Sequence, residues 1–349
     1  MKKLRFLSLQ CRVSRLQIKQ IFTIVATGTS GLQELCLQHY MPACFSHERK
    51  TEIDPQLISD CLSKLASVHL PICSCLFFDT KLKSLFETIQ ASKTISLKKL
   101  NLGGISFNPY SGPLVADTLL KLESVDFHRA QVSAEHLRFL LQKLRKSDSE
   151  SHNLKHVRFG RFMDWWKKFN QIPSNLFAES LIKLVSIDLP NNLKAEQIRM
   201  LLTKIKSSDT PKLKEINFGF TELMGIPTPL LVDSILKLET VTIGAETLHC
   251  FGLPNITVST EQVAALLSSV VKRQGFRLRN LKIICWEDQT ILDQALIKQA
   301  GKKLAFVKVI TWNRKDVQDE AHKDDDEDDD DESEDSEEEE EIEVEDPLD

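Results

Sequence analysis

Few side chains in these 349 residues are spaced for chemistry. Cys73-Ser74-Cys75 is a C-x-C, but zinc needs a second pair at a matching spacing and none follows. His152 and His156 are four apart, yet His156 falls in a strand phrase with His152 ahead of it. They do not share a helical face, so both are expected to be solvated. Gly103-Gly104 follows a strand phrase without developing into a G-x-G-x-x-G or a phosphate-binding loop. The sequence therefore points to no catalytic residue, no metal and no cofactor. The most unusual local feature is Trp165-Trp166, followed by Lys167 and Lys168 and close to Arg158 and Arg161. Large aromatics flanked by cations have the composition of a protein-interface hot spot.

Charge is divided unevenly. Residues 316–349 hold 23 acidic residues and one lysine, Lys323, a balance of −22. The preceding 315 residues hold 44 basic against 27 acidic residues, a balance of +17 hidden under the formal −5 of the whole chain. The run DDDEDDDDESEDSEEEEE has no aromatics and no apolar period, so 316–349 is expected to be a disordered acidic tail. Ser333 and Ser336 lie among its acids, a setting in which phosphate would deepen the charge. The N-terminal apolar run is broken by Arg5, Arg12 and Arg15. No stretch approaches the roughly 20 apolar residues of a membrane span. With scattered cysteines and no secretory signal, the expectation is reduced thiols in a cytoplasmic or nuclear protein, with no membrane partner.

The elements that position these groups follow a repeat. The spacing L-x-x-L-x-L begins at Leu4, Leu32, Leu65, Leu97, Leu122, Leu154, Leu184, Leu213, Leu238, Leu278 and Leu304, with Phe, Val or Ile filling some later apolar positions. Helical phrases alternate between the copies. One kind begins at Pro113, Pro173 and Pro227, where proline suits a first helical turn. The other begins at Ala134, Ala195 and Thr260, with Ser133 and Ser259 placed as caps. Leu137, Leu140, Leu141 and Leu144 supply the buried stripe of one such helix.

This pattern resembles the leucine-rich repeat proteins, in particular the ribonuclease-inhibitor-like class, over about Leu4 to Val309. The resemblance implies an α/β solenoid of about eleven irregular β–α repeats over 1–315, with a parallel β ladder on its concave face. In that class an Asn after each strand bonds backbone between turns. Asn192 fills the place, Thr221 and Cys73 are substitutes, and Ala130, Phe162 and Glu246 depart from it. The first strand phrase has no polar cap ahead of it, although solenoid ends are capped. Either an N-terminal portion is missing or that edge is buried against another chain. Repeats followed by an acidic tail are also similar to the Ran GTPase-activating proteins and to acidic nuclear phosphoproteins that bind histones. The first resemblance implies acceleration of GTP hydrolysis, and no residue is carried over for it. The second implies basic partners held by the tail.

In each strand the residue between the last two apolar positions should face outward. Those residues are Ser8, Cys36, His69, Asn101, Asp126, Arg158, Asp188, Asn217, Thr242, Lys282 and Lys308. Two insertions enlarge the loops after Phe159 and Ile243. The reading is a non-enzymatic scaffold that binds a protein partner through Asp126, His128, Arg129, Arg158, Arg161, Trp165, Trp166, Asp188 and Asn217. Basic residues are spread over the body without a nucleic-acid motif, so nucleic acid is not the expected partner.

Overall fold

The computed structural model describes residues 4–9, 15–28, 31–37, 53–69, 81–92, 96–101, 106–127, 130–147, 152–159, 165–191, 193–219, 221–244, 258–286 and 293–312. Met1–Thr311 is one compact unit and Trp312–Asp349 another, of which only Trp312 is described. The acidic tail expected over 316–349 and most of the second insertion lie outside the described residues.

Eleven strands form one sheet in chain order, β1 to β11. They are β1 (Phe6–Leu9), β2 (Glu34–Leu37), β3 (Ser67–His69), β4 (Lys99–Asn101), β5 (Ser124–Asp126), β6 (His156–Arg158), β7 (Ser186–Asp188), β8 (Glu215–Asn217), β9 (Thr240–Ile243), β10 (Asn280–Trp286) and β11 (Phe306–Trp312). Each coincides with one copy of the L-x-x-L-x-L phrase. Helices fall between them: α1 (Arg15–Ala26), α2 (Pro55–Leu62), α3 (Lys81–Ala91), α4 (Gly112–Lys121), α5 (Ala134–Lys146), α6 (Trp165–Phe169), α7 (Ser174–Leu181), α8 (Ala195–Ser207), α9 (Thr228–Ile235), α10 (Thr260–Lys272) and α11 (Gln294–Gly301).

The strands are short because only their central residue is needed in the core. Leu100, Val125, Val157, Ile187, Ile216 and Val241 are register partners in turn, and all are buried. Their neighbours point to the other face, as the period of two requires. Helical stripes cover the inner face, with Leu137, Leu140, Leu141 and Leu144 of α5 all buried. A file of aromatics runs through the same core. Phe86, Phe107, Phe127, Phe159, Phe169 and Phe177 follow one another at centroid distances of 4.8–5.9 Å. The first insertion is thus partly core, because Phe169 belongs to it. Pro113 sits in the first turn of α4 as expected, whereas Pro173 and Pro227 stand one place earlier, as N-caps of α7 and α9.

Nine polar side chains are buried among the described residues, and eight of them hydrogen-bond beyond their own element. Thr118, Ser180 and Ser234 on α4, α7 and α9 donate to the Phe86, Leu141 and Leu202 carbonyls of α3, α5 and α8. Gln197 Nε2 on α8 donates to the Phe169 and Ile172 carbonyls, and Gln262 Nε2 on α10 to those of Leu223 and Ile226. His136 on α5 faces the Tyr110 carbonyl through Nε2 at 2.8 Å, so that nitrogen carries the proton. Ser59 reaches Thr88, and Thr221 donates to the Pro190 carbonyl of the previous turn, much as the family's Asn would.

A second set of ties uses lysine. Lys64, Lys121, Lys183, Lys237 and Lys303 each stand at or just past a helix end, and each turns its ammonium onto carbonyls at a helix end in the previous turn. A cation there satisfies acceptors that the helix leaves open and sits at the negative end of its dipole.

His152 is the ninth buried polar group. It was expected to be solvated, but it is only 8% exposed, and its ring nitrogens make no well-formed hydrogen bond. It stands two residues ahead of Leu154, the place that Pro211 and Phe276 take ahead of Leu213 and Leu278, so the site is shaped for apolar packing. Burial, with nearby Lys212, lowers its pKa from the usual 6.5. The folded state then binds fewer protons than the unfolded one. Stability is whole above about pH 6.5 and falls as pH drops through that value towards the lowered one. Urea titrations across this range should show the loss, and His152→Phe should flatten it. Gln262 offers a second check. Its Oε1 accepts the Ser259 N–H, closing a capping box, while its Nε2 holds two carbonyls. Gln262→Ala should cost about 1–3 kcal/mol in urea unfolding by leaving buried groups unbonded.

Candidate functional site

The outward positions form an unbroken row. Ser8, Cys36, His69, Asn101, Asp126, Arg158, Asp188, Asn217, Thr242 and Lys282 are successive register partners from β1 to β10. One phrase per strand, with equivalent positions always side by side, leaves one architecture. The chain folds as a leucine-rich-repeat solenoid. No protein-family model matches it, and neither does any curated protein. Among solved structures it is similar to the leucine-rich repeat-containing protein LegL7 from Legionella pneumophila, at 14% identity and a TM-score of 0.47 over 86% of this chain and 91% of that one. It is also similar to TLR13, solved as a TLR13–ssRNA13 complex, at 13% identity and a TM-score of 0.40 over 89% of this chain and 40% of that one.

On the concave face of the solenoid, the middle of the row is tied together. Asn101 Nδ2 donates to Asp126 Oδ2 at 2.9 Å. Arg158 Nη1 donates to the same oxygen at 3.4 Å, and its Nε donates to Asp188 Oδ2 at 2.9 Å. The guanidinium therefore bridges the strands on either side of its own while its side chain stays 60% exposed. Burial pulls its pKa down, but the charges of Asp188 and Asp126 outweigh that and hold it above the usual value. Arg158 is a fixed, permanent charge facing solvent. Asn217 is turned differently, since its Oδ1 accepts the Gly219 N–H at 3.0 Å.

A second row was missed in the sequence, because the place before the middle apolar residue reads as filler. Ser67, Lys99, Ser124, His156, Ser186 and Glu215 occupy it on β3 to β8, again in register. Both rows line an open trough of about 330 Å³ walled by His69, Lys99, Asn101, Ser124, Asp126, His156, Arg158, Ser186 and Asp188. Serines on alternate strands make it a trough rather than a ridge. Cys36 keeps its place in the outward row but is 9% exposed, a packed thiol. Cys61 is deeper, and burial pushes its pKa up to about 12, which leaves it unreactive as a nucleophile.

Of the residues singled out in the sequence, Asp126, Arg158, Asp188 and Asn217 come together in one row. His128, Arg129 and Arg161 lie outside the described residues. Trp165 and Trp166 open α6, and only their backbone is described. Among the described residues no group of three or more His, Cys, Asp or Glu is placed to hold a metal ion, and no helix is long and apolar enough to cross a membrane.

His69 reports on the charge of the trough. Burial lowers its pKa, the Asp126 carboxylate opposes the shift, and the Arg158 charge adds to it. In an NMR pH titration the ring should stay neutral at pH 7 and titrate below 6.5. Asp126→Asn should move the midpoint lower still, and Arg158→Ala should move it back up.

Proposed function

We propose that this chain is a non-enzymatic scaffold that seats a folded protein partner on the concave face, across β3 to β8. The observation that carries the reading is the clamped Arg158. An exposed guanidinium held by carboxylates on both neighbouring strands has lost its freedom before any partner arrives. Ordering it on binding then costs little, which is what a hot-spot residue needs.

Size and openness favour a macromolecule. Six strands about 4.8 Å apart span roughly 25 Å, the scale of a protein interface rather than of a metabolite. Small-molecule sites are enclosed, whereas this trough is open, with charged and hydroxyl groups set among apolar ones. Asp126, Asp188 and Asn217 share the face with Arg158. His128, Arg129, Arg161, Trp165 and Trp166 follow β5 and β6 in the chain and are included in the proposed contact.

The test is an affinity pull-down with the full chain and its Arg158→Glu variant, with partners identified by mass spectrometry. Reversal places a third carboxylate beside Asp126 and Asp188, at an exposed site where the lost ion pairs contribute about 0–1 kcal/mol. Circular dichroism should show an unchanged fold, while a salt-resistant partner of the wild type should be retained about tenfold less or worse. Equal retention by both chains would remove the concave face from the reading.

A further inference from the structure

A second charged surface lies where the strands begin. Around the first leucine of each phrase, from β3 to β11, the residues before and after include eleven cations and only two acids, Glu123 and Glu239. The positions form a continuous edge, because each backbone N–H there bonds the carbonyl of the strand before. Lys155 N bonds Glu123 O, Val185 N bonds Lys155 O, Lys214 N bonds Val185 O, and Arg279 N bonds Glu239 O.

Most of these cations have work inside the fold. Five are the lysines that close helix ends, Lys155 is paired with Glu123 at 3.0 Å, and Lys214 with Glu239 at 3.1 Å. The last two repeats differ. Arg277 and Arg279 flank Leu278 just ahead of β10, both are exposed, and neither side chain has an acceptor among the described residues. Lys272 ends α10 and Lys302 caps α11, likewise exposed and unengaged. Lys303 draws the two ends together by donating to the Val271 and Arg273 carbonyls. Arg273 is itself bonded to Asp233 at 2.7 Å, and Asp233 also holds Lys206. Among the described residues the neighbouring acid Asp233 is therefore already paired, and Lys272, Arg277, Arg279 and Lys302 stay exposed around the ends that Lys303 joins.

We propose that Lys272, Arg277, Arg279 and Lys302 form a docking site for an acidic polypeptide segment, a run of Asp and Glu presented by a partner. Arg277 and Arg279 are two residues apart in the chain, the sequence spacing of alternate carboxylates in an acidic peptide. Guanidinium groups take carboxylates through paired N–H bonds. Nucleic acid fits less well. Single strands are held by bases stacked on exposed aromatics, and the aromatic of this loop, Phe276, packs on the core.

This surface is independent of the concave face, and one titration separates the two. A short labelled peptide of alternating Glu and Asp is titrated into the full chain by fluorescence anisotropy, beside a length-matched labelled oligouridylate at equal ionic strength. The peptide should bind saturably, weaken about tenfold or more in the Arg277→Glu/Arg279→Glu variant, and be unmoved by Arg158→Glu. Lys272→Glu/Lys302→Glu should weaken it in the same direction, which guards against a folding defect in the arginine pair. Absence of saturable binding, or equal binding by wild type and both charge-reversed variants, overturns the proposal. Tighter binding of the oligouridylate, lost in the same variants, overturns the ligand class and assigns the patch to nucleic acid.

Discussion

Each turn of this chain can bury its apolar stripe only against the turns before and after it. Among the described residues nothing distant holds the stack together, so cohesion must be supplied anew at every interface, and the buried polar groups show how. Two kinds of interface alternate. At one, a hydroxyl and a lysine reach back, as Ser180 and Lys183 do from α7 to α5. At the other, a Gln or His near the start of a helix holds carbonyls ahead of the previous helix, as Gln197 does between α8 and α7. One tie works near helix ends and the other near helix beginnings. An apolar stripe alone would tolerate sliding, but a buried donor left without its carbonyl costs free energy. The polar ties therefore fix the register that the leucines merely permit.

That fixed register matters for the candidate site. The outward residues take no part in the core, yet their spacing is set by it, so Asp126, Arg158 and Asp188 meet with hydrogen-bond geometry although they lie about 30 residues apart in sequence. The face is a rigid array whose side chains can vary freely. Chemistry on it is decided by which residues fall side by side, and here two carboxylates enclose one guanidinium.

The strands were legible because the phrase combines a period of two with leucine at fixed places, and its eleven copies match eleven strands. The Ser133 and Ser259 caps were legible for a similar reason, since a hydroxyl before an acidic first turn has few other uses. What escaped was whatever looked like filler. The second outward row sits at an unlettered position of the phrase. The lysine before the leucine in Lys121-Leu122, Lys183-Leu184 and Lys237-Leu238 looks solvated until the carbonyls around it are known. His152 misled in the same way, because polarity argued for solvent while the repeat placed it where Pro211 packs. Phe169 misled oppositely. It lies in an insertion read as binding surface and is fully buried between Phe159 and Phe177.

The alternation of ties bears on how such a chain can grow. Lys64, Lys121, Lys183, Lys237 and Lys303 occur on every second turn, each reaching a helix of the other kind. Remove a single turn, and a lysine made for open helix-end carbonyls confronts a neighbour of its own type, while a glutamine loses the loop it was made to hold. Remove two, and every surviving tie finds an equivalent partner. The structural unit of this array is therefore the pair of turns, the smallest piece that can be removed with every tie still matched.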